Sequence, residues 1–128
     1  MTMEMHSTEA VELIAGDRSQ GLLFICDHAS NRLPAEYRQL GLETPQLQRH
    51  IAYDIGAAAL TRRLAAHFRG PAVLSTVSRL LIDLNRGADD PTLVMRLSDG
   101  AVVPGNRSVD LAEIDRRIAR FYQPYHDA

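Results

Sequence analysis

The chain has very little cysteine. Cys26 stands alone among 128 residues, so no internal disulfide can form and the sequence reads as a protein of a reducing compartment. Aromatic side chains make up only 5%, too few for a base-stacking platform. Positive charge is not in excess either. The formal net charge of −2 argues against a general nucleic-acid binder, which is normally basic. No apolar run approaches the length that crosses a bilayer. The N-terminal stretch MTMEMHSTEA lacks both the basic and the apolar region of a signal peptide. Together these absences lead us to expect a soluble cytoplasmic protein with neither nucleic acid nor membrane as a partner. Walker-type and GxGxxG phosphate loops, cysteine-rich metal knuckles, internal repeats and low-complexity tracts are also missing.

What is present is ordinary globular composition, 45% hydrophobic and 23% charged, sufficient at this length for one domain with a core. Residues 1–20 form a polar N-terminal segment in which Val11, Leu13 and Ile14 suggest a short edge strand. LLFIC at 22–26 is a continuous apolar run, as expected of a strand buried on both faces. Pro34 opens a short helix PAEYRQL that Gly41 stops, and Thr44-Pro45 restarts a turn or helix toward His50. An amphipathic helix follows, with Asp54 as candidate N-cap and Leu60, Leu64 and Phe68 on its apolar face, ended by Gly70-Pro71. AVLSTVS at 72–78 is the next strand. RLLIDLNR at 79–86 repeats the pattern of an apolar core segment that turns polar. Asp99-Gly100 sits between two β-like runs and predicts a hairpin. The last helix starts at Ser108 or Asp110, with Asp110 and Glu113 spaced as a capping box, and keeps Leu111, Ile114, Ile118, Phe121 and Tyr125 on one face. It has no stop signal, so the chain reads as one cut short.

Two clusters carry chemistry. The first is Asp27, His28, Ser30 and Asn31, directly after the first buried strand, where open α/β sheets place their ligands. His28 suits a divalent metal or a base, or is a loop histidine held by backbone groups. Asp54 has two readings, an N-cap or a carboxylate working near His28. His50 reads as structural. The second cluster is Arg79, Asp83, Asn85 and Arg86. Two guanidinium forks flanking an apolar segment suit a carboxylate-bearing substrate. The plainer reading is ion pairing with Asp83, Asp89 or Asp90, worth about 0–1 kcal/mol when exposed. Asn106 reads as a loop residue, and Arg116-Arg117 as a solvated helix face. The pattern alone supports an α/β hydrolase-like half domain.

Four separated blocks, CDHASNRLP at 26–34, HIAYDIGA at 50–57, SRLLIDLNR at 78–86 and SDGAVVPGNR at 98–107, resemble the N-formylglutamate amidohydrolase family in order and spacing. The resemblance covers the chain from Leu22 to FYQPYH at 121–126 and is nearer the broad branch than the one dedicated to histidine breakdown. It implies a three-layer α/β/α fold of the zinc-carboxypeptidase type, with 21–128 as the N-terminal half of the domain. It implies hydrolysis of the N-formyl or N-acyl amide of a small acidic amino acid, with one divalent metal, zinc, as cofactor. By the same resemblance His28 and Asp54 are metal ligands, and Asp54 and Arg79 act catalytically. Asn31, Arg79, Asn85 and Arg86 bind substrate. Asn31 stands where carboxypeptidase-like enzymes carry a glutamate ligand, and the family's later His-Ser segment, which supplies another ligand, is absent. The alternatives are a small-carboxylate-binding domain without turnover, or an inactive fragment.

Overall fold

A computed structural model describes residues 5–128. Four short strands form one sheet: β1 (Met5–Ser7), β2 (Val11–Ile14), β3 (Phe24–Cys26) and β4 (Ala72–Ser75), in the spatial order β1-β2-β4-β3. The first two pairings are antiparallel and β3 runs parallel to β4, with Phe24 opposite Ala72 and Cys26 opposite Leu74. A parallel pair needs a long crossover. Here it carries α1 (Thr44–Leu47) and α2 (Ala57–Phe68). A two-stranded hairpin, β5 (Leu97–Ser98) and β6 (Ala101–Val102), precedes α3 (Leu111–Arg117), a π turn at Ile118–Tyr122, and α4 (Gln123–Asp127). The protein is therefore of the α/β class. No helix among the described residues is long and apolar enough to cross a membrane.

Strand alternation sorts the core onto two faces. Ile14, Cys26, Ala72 and Leu74 face α2 and meet Ala65 there. Val11 and Val73 point the other way, into the larger core with Leu80, Leu81, Ile82, Leu84, Phe121 and Tyr125. The turn chemistry behaves as the sequence predicts at two places. Asp99 and Gly100 both take positive φ at the hairpin tip, and the Asp110 carboxylate accepts the Glu113 N–H at 2.9 Å to cap α3.

Several expectations are corrected. Val11–Ile14 is not an edge strand: it lies between β1 and β4. Residues 79–86 form no strand but a chain of turns, whose apolar residues Leu80, Leu81, Ile82 and Leu84 are all buried. An apolar run says that a segment is buried, not that it is extended. The 3-10 segment Ala35–Gly41 bends out of helical geometry at Arg38, Gln39 and Leu40, which have positive φ. This left-handed turn presses against Gly105, where a Cβ would lie 2.6 Å from the Leu40 Cα. Helix α2 packs through Thr61 and Ala65, the small residues, while Leu60 and Phe68 remain exposed. Leu111 is exposed as well. At the C-terminus the helix does not break at Pro124. Proline has no N–H to return to the carbonyl four residues back, and the turn before it widens to a π turn, with the Gln123 N–H reaching Ile118 O.

Candidate functional site

Strand β3 ends at Cys26, and the chain turns so that His28 comes to lie within the protein. Backbone bonds gather three distant segments around it. Asp54 N–H donates to His28 O at 3.0 Å, Arg79 N–H to Ala52 O at 3.2 Å, and Ser78 N–H to Arg32 O at 2.8 Å. Buried Ser78 adds its hydroxyl to Ala52 O at 2.7 Å, and the Ala29 N–H donates to Ser75 Oγ at 2.9 Å. The cluster is thus fixed from the backbone outward.

The two candidate clusters meet on Asp83. His28 Nε2 lies 2.6 Å from Asp83 Oδ1, and His28 Nδ1 lies 3.3 Å from Asp54 Oδ2. Arg79 donates to Asp83 Oδ2 at 3.1 Å and reaches toward Asp54 Oδ1 at 3.7 Å. Arg86 Nε donates to the same Asp83 oxygen at 3.3 Å, and the Asn85 backbone N–H donates to Oδ1 at 3.0 Å. Asp83 is 1% exposed. Burial alone would raise its pKa, but the bonds from His28 and the Asn85 N–H, with the His28 and Arg79 charges, win and lower it to about 2. The Asp83 hydrogen bond raises the His28 pKa in turn, against a smaller effect of burial.

Asp54 is no N-cap. Gly56 holds that position at φ 82, and α2 has no side-chain cap. The capping role is therefore unavailable to explain Asp54, whose side chain is half exposed and faces His28. Asn85 and Arg86 line a cavity of about 470 Å³ with Asp27, Tyr122, Tyr125 and His126. Arg86 also donates to Thr92 Oγ1 at 2.8 Å. Asn31 is placed differently: its Nδ2 donates to Leu47 O at 2.8 Å, bracing α1. It makes no hydrogen bond or ion pair with His28, Asp54, Arg79 or Asp83.

Asp83 was readable only as a member of the second cluster, although an acid inside the apolar run LLIDL is itself a signal of a paired buried carboxylate. The supports behind the site were less visible. Tyr122 Oη donates to Arg86 O at 2.7 Å, His126 Nε2 lies 2.9 Å from Leu84 O, and Tyr125 Oη donates to Asp27 Oδ1 at 2.5 Å. Arg117 is no solvated residue. It is 2% exposed and donates to Leu81 O at 2.9 Å and Asn106 Oδ1 at 2.8 Å. Asn106, fully buried, donates to Leu80 O and Met95 O. The 80–83 segment is thus held from behind by polar side chains. Arg117 sits three residues after Ile114 and four before Phe121, on the apolar face, and that spacing could have revealed it.

The residues present fit a metal ion in part. Two ligands on a tetrahedral zinc, each at about 2.0–2.1 Å, lie about 3.3–3.4 Å apart, and the 3.3 Å between His28 Nδ1 and Asp54 Oδ2 matches that span. Asp83 on the far ring nitrogen is the partner that a ligating histidine ordinarily has. The described residues offer no group of three His, Cys, Asp or Glu able to hold an ion. His28 and Asp54 are the two side chains of the cluster that could donate to an ion, with Asp83 behind His28.

Comparison with family models matches residues 20–128 to N-formylglutamate amidohydrolase, including every block around this cluster. The chain belongs to the N-formylglutamate amidohydrolase family. Among solved structures it is similar to the crystal structure of gene product Atu2144 from Agrobacterium tumefaciens, with 35% identity and a TM-score of 0.83 over 92% of this chain. The chain spans about half of that protein, 47% of its length. No curated protein matches. The His28, Asp54, Arg79 and Asp83 cluster lies within the matched residues.

Proposed function

We propose that the chain forms the N-terminal half of a metal-dependent amidohydrolase of zinc-carboxypeptidase-like architecture, acting on the N-formyl or N-acyl amide of a small acidic amino acid. N-formyl-L-glutamate, cleaved to formate and glutamate, is the first substrate to test. One observation carries the reading: His28 is held by buried Asp83 on one nitrogen and presents the other to Asp54 at a ligand-like separation. When bound, a divalent ion, zinc in the first instance, supplies Lewis acidity for water and for the acyl oxygen.

The chain's own residues divide the remaining work. His28 and Asp54 would hold the ion, and the second oxygen of the half-exposed Asp54 carboxylate is placed to accept a proton from water. Arg79, whose guanidinium reaches both Asp83 and Asp54, is the cation placed to stabilise a developing negative oxygen beside Asp54. Arg86 and Asn85, which line the cavity, suit the substrate carboxylate and fix its orientation. Asn31, one of whose amide N–H groups is held by Leu47 O, keeps its amide oxygen and second N–H for substrate. Water remains excluded from Asp83, so its charge serves to orient His28 and Arg79 rather than to react.

The test is formate release from N-formyl-L-glutamate with zinc in excess. Release should depend on zinc and disappear in His28→Ala and Asp54→Asn. Carboxylate binding that survives His28→Ala, with no amino acid released from any N-formyl or N-acyl acidic amino acid, would replace the hydrolase with an anion-binding domain.

A further inference from the structure

Asn85 and Arg86 end the turn segment 79–86, where no strand ladder holds them, and the exposed stretch Gly87–Asp89 follows at once. Backbone groups outside any ladder need partners from elsewhere. The N–H groups of Asn85 and Arg86 turn back on Asp83, to its Oδ1 at 3.0 Å and its O at 3.2 Å. The carbonyls on either side of Asn85 go to one helical turn instead. Tyr122 Oη donates to Arg86 O at 2.7 Å, and His126 Nε2 donates to Leu84 O at 2.9 Å. Among the described residues neither carbonyl has a backbone partner. The two rings stand at i and i+4 and touch, with centroids 4.4 Å apart. The proton on each of these two donor atoms is committed to a carbonyl. The π turn at Ile118–Tyr122 makes the placement. It holds one residue more than an α turn, and one residue is about 100° of rotation in an α-helix. An uninterrupted α-helix from Leu111 would turn His126 away from Leu84 by about that angle.

We infer that Tyr122 and His126 are positioning residues for the Asn85–Arg86 pair. They fix the carbonyls on either side of Asn85, and so set where its amide and the Arg86 guanidinium meet a substrate carboxylate. The inference rests on the reading that this pair binds a carboxylate, and adds the groups that hold the pair in place. Asp83 and Thr92 steer the Arg86 guanidinium, at 3.3 and 2.8 Å, but those bonds do not hold the backbone from which it springs. Tyr122 and His126 do. All four residues line the same cavity of about 470 Å³. A guanidinium that pairs with a carboxylate through two parallel bonds needs a fixed plane and origin, so a small shift of the chain at 84–86 costs carboxylate affinity. Among the described residues neither ring bonds His28 or Asp54. The two rings therefore act on carboxylate binding and leave the metal end of the site alone.

The test is an NMR titration of the chain with glutarate, a dicarboxylate with no amide to hydrolyse, so the result does not depend on turnover. Binding is read per folded molecule, at the Arg86 Nε–H and the Asn85 side-chain amide. Tyr122→Phe and His126→Ala should each weaken glutarate binding by about threefold to tenfold, the worth of one hydrogen bond. His126→Gln, whose amide N–H reaches about as far as Nε2, should restore it. Zinc binding, followed at the His28 ring signals, should be the same in the parent and in these variants. A role in stability alone would lower the melting temperature and leave the glutarate affinity of the folded chain unchanged. That result would overturn the inference, and so would His126→Gln binding no better than His126→Ala, or zinc and glutarate weakened together. Arg86→Ala separates the inference from the reading beneath it. Glutarate binding that survives Arg86→Ala, or that the parent lacks, removes the carboxylate role from Arg86 and overturns both. Binding that needs Arg86 and ignores Tyr122→Phe overturns the inference alone.

Discussion

Replacing Asp83 with asparagine removes one charge from the centre of the cluster and keeps its shape. In the folded protein the Asp83 pKa falls from 3.8 to about 2. At about 1.4 kcal/mol per pKa unit, ionised Asp83 favours the folded state by about 2.5 kcal/mol. Asp83 is almost wholly buried, so solvent screening does not reduce this figure much. Its loss also leaves Arg79, Arg86 and His28 without their shared partner, so Asp83→Asn should cost about 2–4 kcal/mol at pH 6. In a domain of this size that lowers Tm by roughly 10 °C. The sign with pH is fixed. A depressed carboxylate pKa contributes stability above 3.8 that is lost as pH falls through about 2, so about half of the linkage remains at pH 3. The raised His28 pKa works in the opposite direction. Its contribution is complete below 6.5 and fades as pH rises through the folded-state value. In metal-free protein the difference between parent and Asp83→Asn should therefore be largest between about pH 4 and 6.5. Urea unfolding of both proteins from pH 3 to pH 8 measures it. A variant as stable as the parent at pH 6, or a difference flat across the range, would refute the reasoning.

Three further outcomes follow from the same structure. Arg117→Met keeps the length of the side chain but strands the buried acceptors Leu81 O and Asn106 Oδ1; it should lose about 2–4 kcal/mol in urea titration, where a solvated arginine would cost almost nothing. Gly105→Ala drives a Cβ to 2.6 Å from the Leu40 Cα in backbone that cannot swing away, and a loss of about 1–3 kcal/mol should appear as a lower melting temperature. Tyr125→Phe deletes the bond to Asp27 and should cost about 1.5–3 kcal/mol, because the acceptor is a carboxylate; an unchanged melt would show that α4 is not tied to the end of β3.

The sequence made legible those features that depend on local chemistry. The Asp99-Gly100 turn and the Asp110 cap are local, and each forms where expected; the LLFIC run is corrected, since only Phe24–Cys26 is strand and Leu22, Leu23 and Ile25 are exposed rather than buried on both faces. The coming together of His28, Asp54 and Arg79 was implied by family blocks, not by spacing, since the three lie 26 and 25 residues apart and only the tertiary fold joins them. What stayed hidden was long-range polar work inside apolar surroundings. Arg117 looked like half of an exposed pair, and Asn106 like a loop residue, because one chain read in order shows neither what lies across the core nor which carbonyls need donors. Residues 79–86 misled in the reverse direction. Their hydrophobicity reports burial, but the carbonyls of Leu80, Leu81, Leu84 and Arg86 are met by side chains, so no strand partner is needed. The α2 face was misjudged for a related reason: the sheet beneath it accepts the small side chains of Thr61 and Ala65 at close approach, and the large ones are turned outward.

The central claim is that His28 and Asp54 form one side of a metal site that Asp83 orients, and calorimetric titration of zinc into the purified chain tests it most directly. The account predicts weak binding, because only two donors are supplied, with a proton released as the ion displaces it from His28. Binding should vanish in His28→Ala and Asp54→Asn and persist in His50→Gln, whose exposed pair with Asp99 lies outside the cluster. Zinc that binds His28→Ala as well as the parent, or that does not bind the parent at all, would contradict the account.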